Sequence, residues 1–250
     1  MNFLADALGY IFTASHWTGS SGLGMRTGEH LEYTALAVLA AVVIAVPLGL
    51  FIGHTGRGIF LVVSAVNALR ALPTLGVLLL GVLLWGLGLV PPTVALLLLG
   101  VPPLLAGTYS GIANVDRTVV EAARAMGMTE RQVLFGVEVP NALPLILSGL
   151  RTATLQVVAT ATVAAYASLG GLGRYLIDGI KVRQFHLALV GAIMVTALAL
   201  LLDAVLALAV WLSAPGTGRL RPVPDLPDRE GQAVYADSGV SAGTMPRSPG

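Results

Sequence analysis

Cysteine is absent from all 250 residues, so disulfides and cysteine-based metal or redox centres are excluded. Charge is nearly as scarce. Asp, Glu, Lys and Arg make up 11% of the chain, whereas a soluble domain keeps about 25% to cover its surface. With 56% hydrophobic residues and a mean hydropathy of +0.84, the chain must meet lipid as well as water. Arginines are scattered singly at a net charge of +1, so no basic patch marks a nucleic-acid partner. Lysine occurs once, at Lys181 between Ile180 and Val182. A phosphate-cradling loop of the form Gly-x-x-x-x-Gly-Lys-Ser/Thr is therefore absent, and no nucleotide site is visible in the sequence. Aromatics reach only 6%, and Trp85, Tyr109 and Tyr166 fall in separate segments. Cation-binding aromatic cages need several rings together, so tight recognition of such a solute is assigned elsewhere. His16, His30, His54 and His186 lack metal-ligand spacing and are read as solvent or interfacial side chains.

Long charge-free stretches are what the chain does have. A helix needs about 20 apolar residues, at about 1.5 Å each, to cross a hydrocarbon core roughly 30 Å thick. The first span is read from Tyr33 to Gly56. No charge occurs from Ala71 to Val115, too long a stretch for one crossing. Pro91-Pro92 divides it, because proline can open a helix but not continue one; the second span is expected at 59–86 and the third at 92–112. Asn114 to Glu138 carries Asp116, Arg117, Glu121, Arg124, Glu130, Arg131 and Glu138 and cannot sit in hydrocarbon. A fourth span at 143–167, a connection rich in glycine at Gly170, Gly171 and Gly173, and a fifth span at 186–212 complete an all-α, polytopic membrane protein.

Residues 1–30 form an N-terminal segment without the basic region, apolar core and cleavage site of a secretory signal, and are read as retained and extracytoplasmic. Residues 31–212 form the transmembrane domain, with the polar loop at 114–140. The segment 213–250, rich in Pro, Gly, Ser and charge, is read as a disordered cytoplasmic tail. With the loop inside, Arg57, Arg117, Arg124, Arg131, Arg219, Arg221, Arg229 and Arg247 stand on the cytoplasmic side, against Arg26, Arg174, Lys181 and Arg183 outside. The bias places the N-terminus out and the C-terminus in.

The polar loop carries the functional signal. Glu121-Ala122-Ala123 is followed after three residues by Gly127, and after nine more by Val137-Glu138-Val139-Pro140. Helix formers run from Thr118 to Met126, with Glu121 expected in the first turn, where the helix dipole favours a carboxylate. Ala122 and Ala123 offer a low face on which another protein can seat. Gly127 suits a left-handed C-cap, and Thr129 with Gln132 predicts a capping box opening a second short helix. The pattern resembles the EAA motif of ABC importer permeases, with Val137 and Val139 where Ile and Leu are commoner. Glu29-His30-Leu31, Pro47-Leu48-Gly49, Arg70-Ala71-Leu72-Pro73, Gly111 to Asp116, Arg151 to Thr154 and Gly170 to Gly173 narrow the resemblance to the proline/glycine betaine/carnitine/choline permease group.

That resemblance, over residues 28–212, implies the methionine-importer-like permease fold and an inner-membrane location. It implies that Glu121, Ala122, Ala123, Gly127, Val137, Val139 and Pro140 couple the chain to a cytoplasmic ATPase subunit. That partner uses ATP-Mg; no cofactor is expected on this chain, which is not itself an enzyme. A second permease, self or homologue, and an extracytoplasmic solute-binding protein are the other implied partners. Within the spans, Arg70, Asn67, Gln156 and Asp203 are candidates for the solute path or gate. Each also has a structural reading, since an intramembrane charge demands a partner or a cavity and polar side chains commonly bond between helices. Ala159, Ala161, Ala164 and Ala165 are expected at a dimer interface. A permease for an amino acid such as methionine is the alternative substrate reading. A secondary transporter driven by an ion gradient, using a carboxylate such as Asp203, is the alternative of another class.

Overall fold

The computed structural model describes residues 2–214, and among these every regular element is helical. Positions 215–250, most of the expected tail, lie outside the described residues. Helix α1 (Phe3–Phe12) and a 3-10 turn (Ala14–Trp17) precede α2 (Leu23–Thr55), and α3 (Ile59–Ala71), α4 (Thr74–Trp85) and α5 (Val90–Ala113) follow. The polar loop holds α6 (Arg117–Ala125) and α7 (Glu130–Val133). A π-helical turn (Leu134–Glu138) leads into α8 (Val139–Thr160), which tightens into a 3-10 segment (Ala161–Ala167). Short α9 (Gly173–Lys181) and long α10 (Phe185–Ser213) are the last elements among the described residues.

Among the described residues, four helical runs are long and apolar enough to cross a membrane: Leu23–Thr55, Val90–Ala113, Glu130–Ala167 and Phe185–Ser213. The second expected span departs from a single helix. Pro73 disfavours the helical region for the residue before it, and Leu72 sits at ψ 129°, so the stretch divides into α3 and α4. The helix that carries the first span begins at Leu23, ten residues before the charge-free stretch that opens at Tyr33. Its charges do not stop it, because Arg26 and Glu29 pair at 2.9 Å across one turn. Its end is marked by Gly56 at φ +67°, whose N–H donates to the Ile52 carbonyl. Pro91 and Pro92 open α5 as expected.

Helices α2, α5 and α8 make the centre. Ala37, Ala41 and Ala45 of α2 recur every fourth residue and are fully buried, facing Leu96, Val101, Leu104 and Leu105 of α5 with Ala153 and Val157 of α8. Such small residues let helices close on each other where lipid offers no hydrophobic drive. Gly107 of α5 and Gly149 of α8 approach so nearly that a Cβ built on Gly107 would lie 2.7 Å from the Gly149 Cα. Helix α10 packs on α8 and the Gly-rich connection through Val158, Leu172, Val195 and Leu198. Helix α1 docks through Ala7 against Leu23 and Val190. Ala161, Ala164 and Ala165 are buried inside this one chain, so the expected small-residue dimer seam is instead internal packing, and only Ala159 of that set is exposed. Large apolar side chains cover the outside, Val43 at 73% and Leu83 at 83% exposure, the surface a bilayer requires.

Candidate functional site

The loop is a folded corner. Asp116 caps α6 by accepting the Thr118 N–H at 2.8 Å, which places Glu121 beyond the first turn rather than in it. The chain turns at Gly127, whose φ of +85° needs a residue without a Cβ. Thr129 and Gln132 then form the expected capping box, with the Thr129 N–H donating to Gln132 Oε1 at 2.8 Å. The second short helix is not a free arm, however. It runs through the π turn straight into α8, and Pro140, which has no N–H to give the preceding turn, follows directly after the turn's last bond, from the Val139 N–H to the Leu134 carbonyl.

Burial divides the motif residues into two groups. Ala123, expected on the docking face, is buried with Val120 and Val133, and Met128 and Val137 close this small core between α6 and the turn. A methyl group is what the tight packing there admits. Val139 joins the core beneath the loop with Ile112, Ala142 and Ile146. The two aliphatic positions of the motif thus fasten different layers, one the corner and one the membrane-spanning body. Glu121, Ala122, Gly127 and Pro140 are exposed.

A polar chain ties the corner to α2. Arg124 donates from Nε and Nη2 to the two Glu130 carboxylate oxygens at 3.0 and 2.9 Å, and Glu130 raises the Arg124 pKa above the usual guanidinium value. His54, near the end of α2, places Nε2 3.2 Å from Glu130 Oε2 and Nδ1 2.6 Å from Glu138 Oε2. Glu138, the middle residue of the aliphatic-x-aliphatic pattern, is 5% exposed. The sequence reads His54 as a solvent or interfacial side chain and Glu138 as one more loop charge; a charge set between two aliphatic residues is the signal that marks Glu138 for burial. A cavity of about 280 Å³ lies alongside, lined by His54, Tyr109, Arg117, Glu121, Arg124 and Glu138 among others.

Among the span candidates, Asp203 of α10 accepts both Nε and Nη2 of Arg151 of α8, at 2.6 and 2.7 Å. This two-pronged pair neutralises both charges and clips α8 to α10. Arg70 sits in the last turn of α3, exposed, beside the Leu72-Pro73 break. Asn67 and Gln156 are exposed as well, and among the described residues no hydrogen bond or ion pair joins Arg70, Asn67, Gln156 and Asp203 to one another. Two of the stretches that carried the resemblance do meet. Glu29 Oε2 accepts the Gly171 N–H at 2.7 Å, and any side chain at Gly170 would overlap that carboxylate. His30, fully buried, donates from Nε2 to the Val158 carbonyl at 2.9 Å.

The family model described as binding-protein-dependent transport system inner membrane component matches residues 45–210. The chain is 38% identical over 190 residues to the glycine betaine/carnitine/choline transport system permease protein OpuCB of Bacillus subtilis, covering 76% of this chain and 88% of that one. It is 37% identical over 205 residues to the choline transport system permease protein OpuBB of the same organism, covering 82% and 94%. Among solved structures, a chain of the MetNI methionine ABC transporter in an inward-facing conformation superposes with a TM-score of 0.66 at 22% identity, over 77% of this chain and 96% of that one. The likeness at that identity is one of fold, and it agrees with the all-helical architecture. The family match, spanning α2 to α10, sets aside the ion-driven secondary transporter: this chain belongs to the inner-membrane components of binding-protein-dependent transport systems, the non-catalytic permease subunits of ABC transporters.

Proposed function

We propose that the chain is the permease subunit of an ATP-driven importer for osmoprotectants, the glycine betaine, choline, carnitine and proline class. The observation that carries this reading is the 37–38% identity, over most of both chains, to permease proteins named for glycine betaine, carnitine and choline transport. The corner at 114–140 seats a separate cytoplasmic ATPase subunit, which hydrolyses ATP-Mg. Glu121, Ala122, Gly127 and Pro140 offer the exposed surface, while Ala123, Val137 and Val139 hold the angle between corner and span. A second permease, self or homologue, completes the solute path, and an extracytoplasmic binding protein delivers the solute. The N-terminus lies outside and the C-terminus inside. Exposed on one protomer, Arg70, Asn67 and Gln156 face that shared path, since a charge turned to hydrocarbon is costly. Asp203 acts through its pair with Arg151, holding α8 and α10 together as the spans rock between outward and inward openings.

Uptake of labelled glycine betaine, choline, carnitine, proline and methionine, in cells without their own carriers for these solutes, tests the substrate class. A quaternary ammonium solute or proline accumulates when the binding protein and ATPase are supplied. Methionine uptake alone would transfer the machine to the amino-acid reading.

A further inference from the structure

We propose that His54 is a positioning residue of the transport cycle, the non-covalent output through which movement of the 114–140 corner reaches the first span. The inference rests on the coupling reading above. The corner is joined to the spans covalently through the π turn Leu134–Glu138, which passes directly into α8. Its tie to α2 is different in kind, made of side chains alone. His54 contributes both ring nitrogens, at 2.6 Å to Glu138 and 3.2 Å to Glu130, and Glu130 is held in turn by Arg124 of α6. One histidine thus gathers α6, α7 and the π turn onto the end of α2.

The tie is stiff where it needs to be. The His54 and Glu138 side chains are 13% and 7% exposed, so water competes poorly for a carboxylate that must find a partner when buried. The contact to Glu138 is the hydrogen bond of the two, and Glu130 Oε2 stands 3.2 Å from the other ring nitrogen. Helix α2 resists sliding under a pull, because the glycines of its last turns are seated closely on Thr108, Tyr109 and Ile112 of α5. A Cβ at Gly49 would lie 2.6 Å from Thr108 Cβ, and one at Gly53 would lie 2.6 Å from Ile112 Cβ and 3.0 Å from the Tyr109 carbonyl oxygen. A displacement of the corner therefore drives α8 through the chain and the α2–α5 pair through His54. The cavity of about 280 Å³ beside His54 and Glu138 leaves room for that displacement.

The test uses the assembled permease, ATPase and binding protein in liposomes, reading ATP hydrolysed per solute imported, with glycine betaine as the labelled probe. His54→Ala is expected to insert and to retain the ATPase on purification, yet to use about tenfold more ATP per solute, the scale of one lost hydrogen bond to a charged group. His54→Gln, which keeps a donor, recovers part of the loss. Glu138→Gln adds little once His54 is alanine, because the two act as a unit. A wild-type ratio in His54→Ala overturns the proposal, as do additive effects of the two substitutions. If His54→Ala fails to insert, His54→Gln decides: a wild-type ratio there, or loss of the ATPase, shows a packing residue and overturns the proposal. Gly127→Asp separates the two readings. Normal import by Gly127→Asp removes the coupling role of the corner itself, whereas its failure beside a normal His54→Ala removes the His54 output alone.

Discussion

Replacing Gly107 by alanine adds one methyl group where α5 meets α8. That Cβ would stand 2.7 Å from the Gly149 Cα, 3.0 Å from the Leu145 carbonyl oxygen and 3.1 Å from the Gly149 nitrogen. Carbon atoms pack at about 3.5–4.0 Å, so the helices must separate by roughly 1 Å. All three neighbours are backbone, and no rotamer change relieves the clash. Overpacking of this kind costs about 1–3 kcal/mol, and a chain of this length loses about 2–4 °C of unfolding midpoint per kcal/mol. The expected result is a midpoint lowered by roughly 2–12 °C in detergent at a fixed scan rate. Two controls bracket it. Gly100→Ala meets only the side-chain atoms Val157 Cγ2 at 3.2 Å and Ala41 Cβ at 3.5 Å, which can give, so its loss is smaller. Gly28→Ala, inside α2 with nothing within 4 Å, gains helix propensity and raises stability by up to about 1 kcal/mol. A Gly107→Ala midpoint at or above wild type would refute the claim that α5 and α8 touch backbone to backbone.

Further expectations bear on the ties described above. Arg151→Asp or Asp203→Arg alone leaves like charges facing each other across α8 and α10 and lowers the amount of inserted protein; the exchanged pair restores it, as read by quantitative blotting of membranes. Failure of the exchange to restore insertion would show that the pair is not what joins these helices. Thr129→Ala removes the capping box and destabilises the corner by about 0.5–2 kcal/mol, seen as faster proteolysis at 125–133 with the spans intact. Gly170→Ala drives a methyl group into the Glu29 carboxylate and abolishes the tie to α2, whereas Glu29→Ala with Gly170→Ala leaves only the end of the flexible Arg26 side chain, Nη1 at 2.5 Å, to move aside and recovers part of the uptake.

The spans were legible because hydrocarbon excludes charge; Pro91-Pro92 marks the start of α5, although a second pair, Pro102-Pro103, lies inside the same helix. The corner was legible because its signals are local: Gly127 for the turn, Thr129 and Gln132 for the cap. Partners far apart in the chain were not. Asp203 finds Arg151, His54 finds Glu138, and Glu29 finds Gly171, pairings that helix packing decides and no spacing rule reveals. For the same reason Ala123, Ala161, Ala164 and Ala165, small residues suited equally to an interface or to a tight interior, were assigned to an interface and lie in the interior. The break at Leu72-Pro73 was a misjudged local signal, since the proline that divides α3 from α4 was already visible. Helix α9 was hidden in a Gly-rich segment whose Arg174, Tyr175 and Asp178 look like ordinary loop polarity, although Arg174 and Asp178 have the i,i+4 spacing of a helical pair and lie 3.4 Å apart.

The central claim is that ATP hydrolysis elsewhere drives this permease through the 114–140 corner. Its most direct test compares wild type with Gly127→Asp, at matched membrane expression, for copurification of the ATPase subunit and for accumulation of labelled glycine betaine against a gradient. The account predicts that wild type holds the ATPase and accumulates solute only with ATP, and that the aspartate, which meets nothing within 4 Å but is strained at φ +85° by about 1–2 kcal/mol, still inserts at the matched level and abolishes both. ATP-independent accumulation, or a Gly127→Asp protein that accumulates solute like wild type, would contradict it.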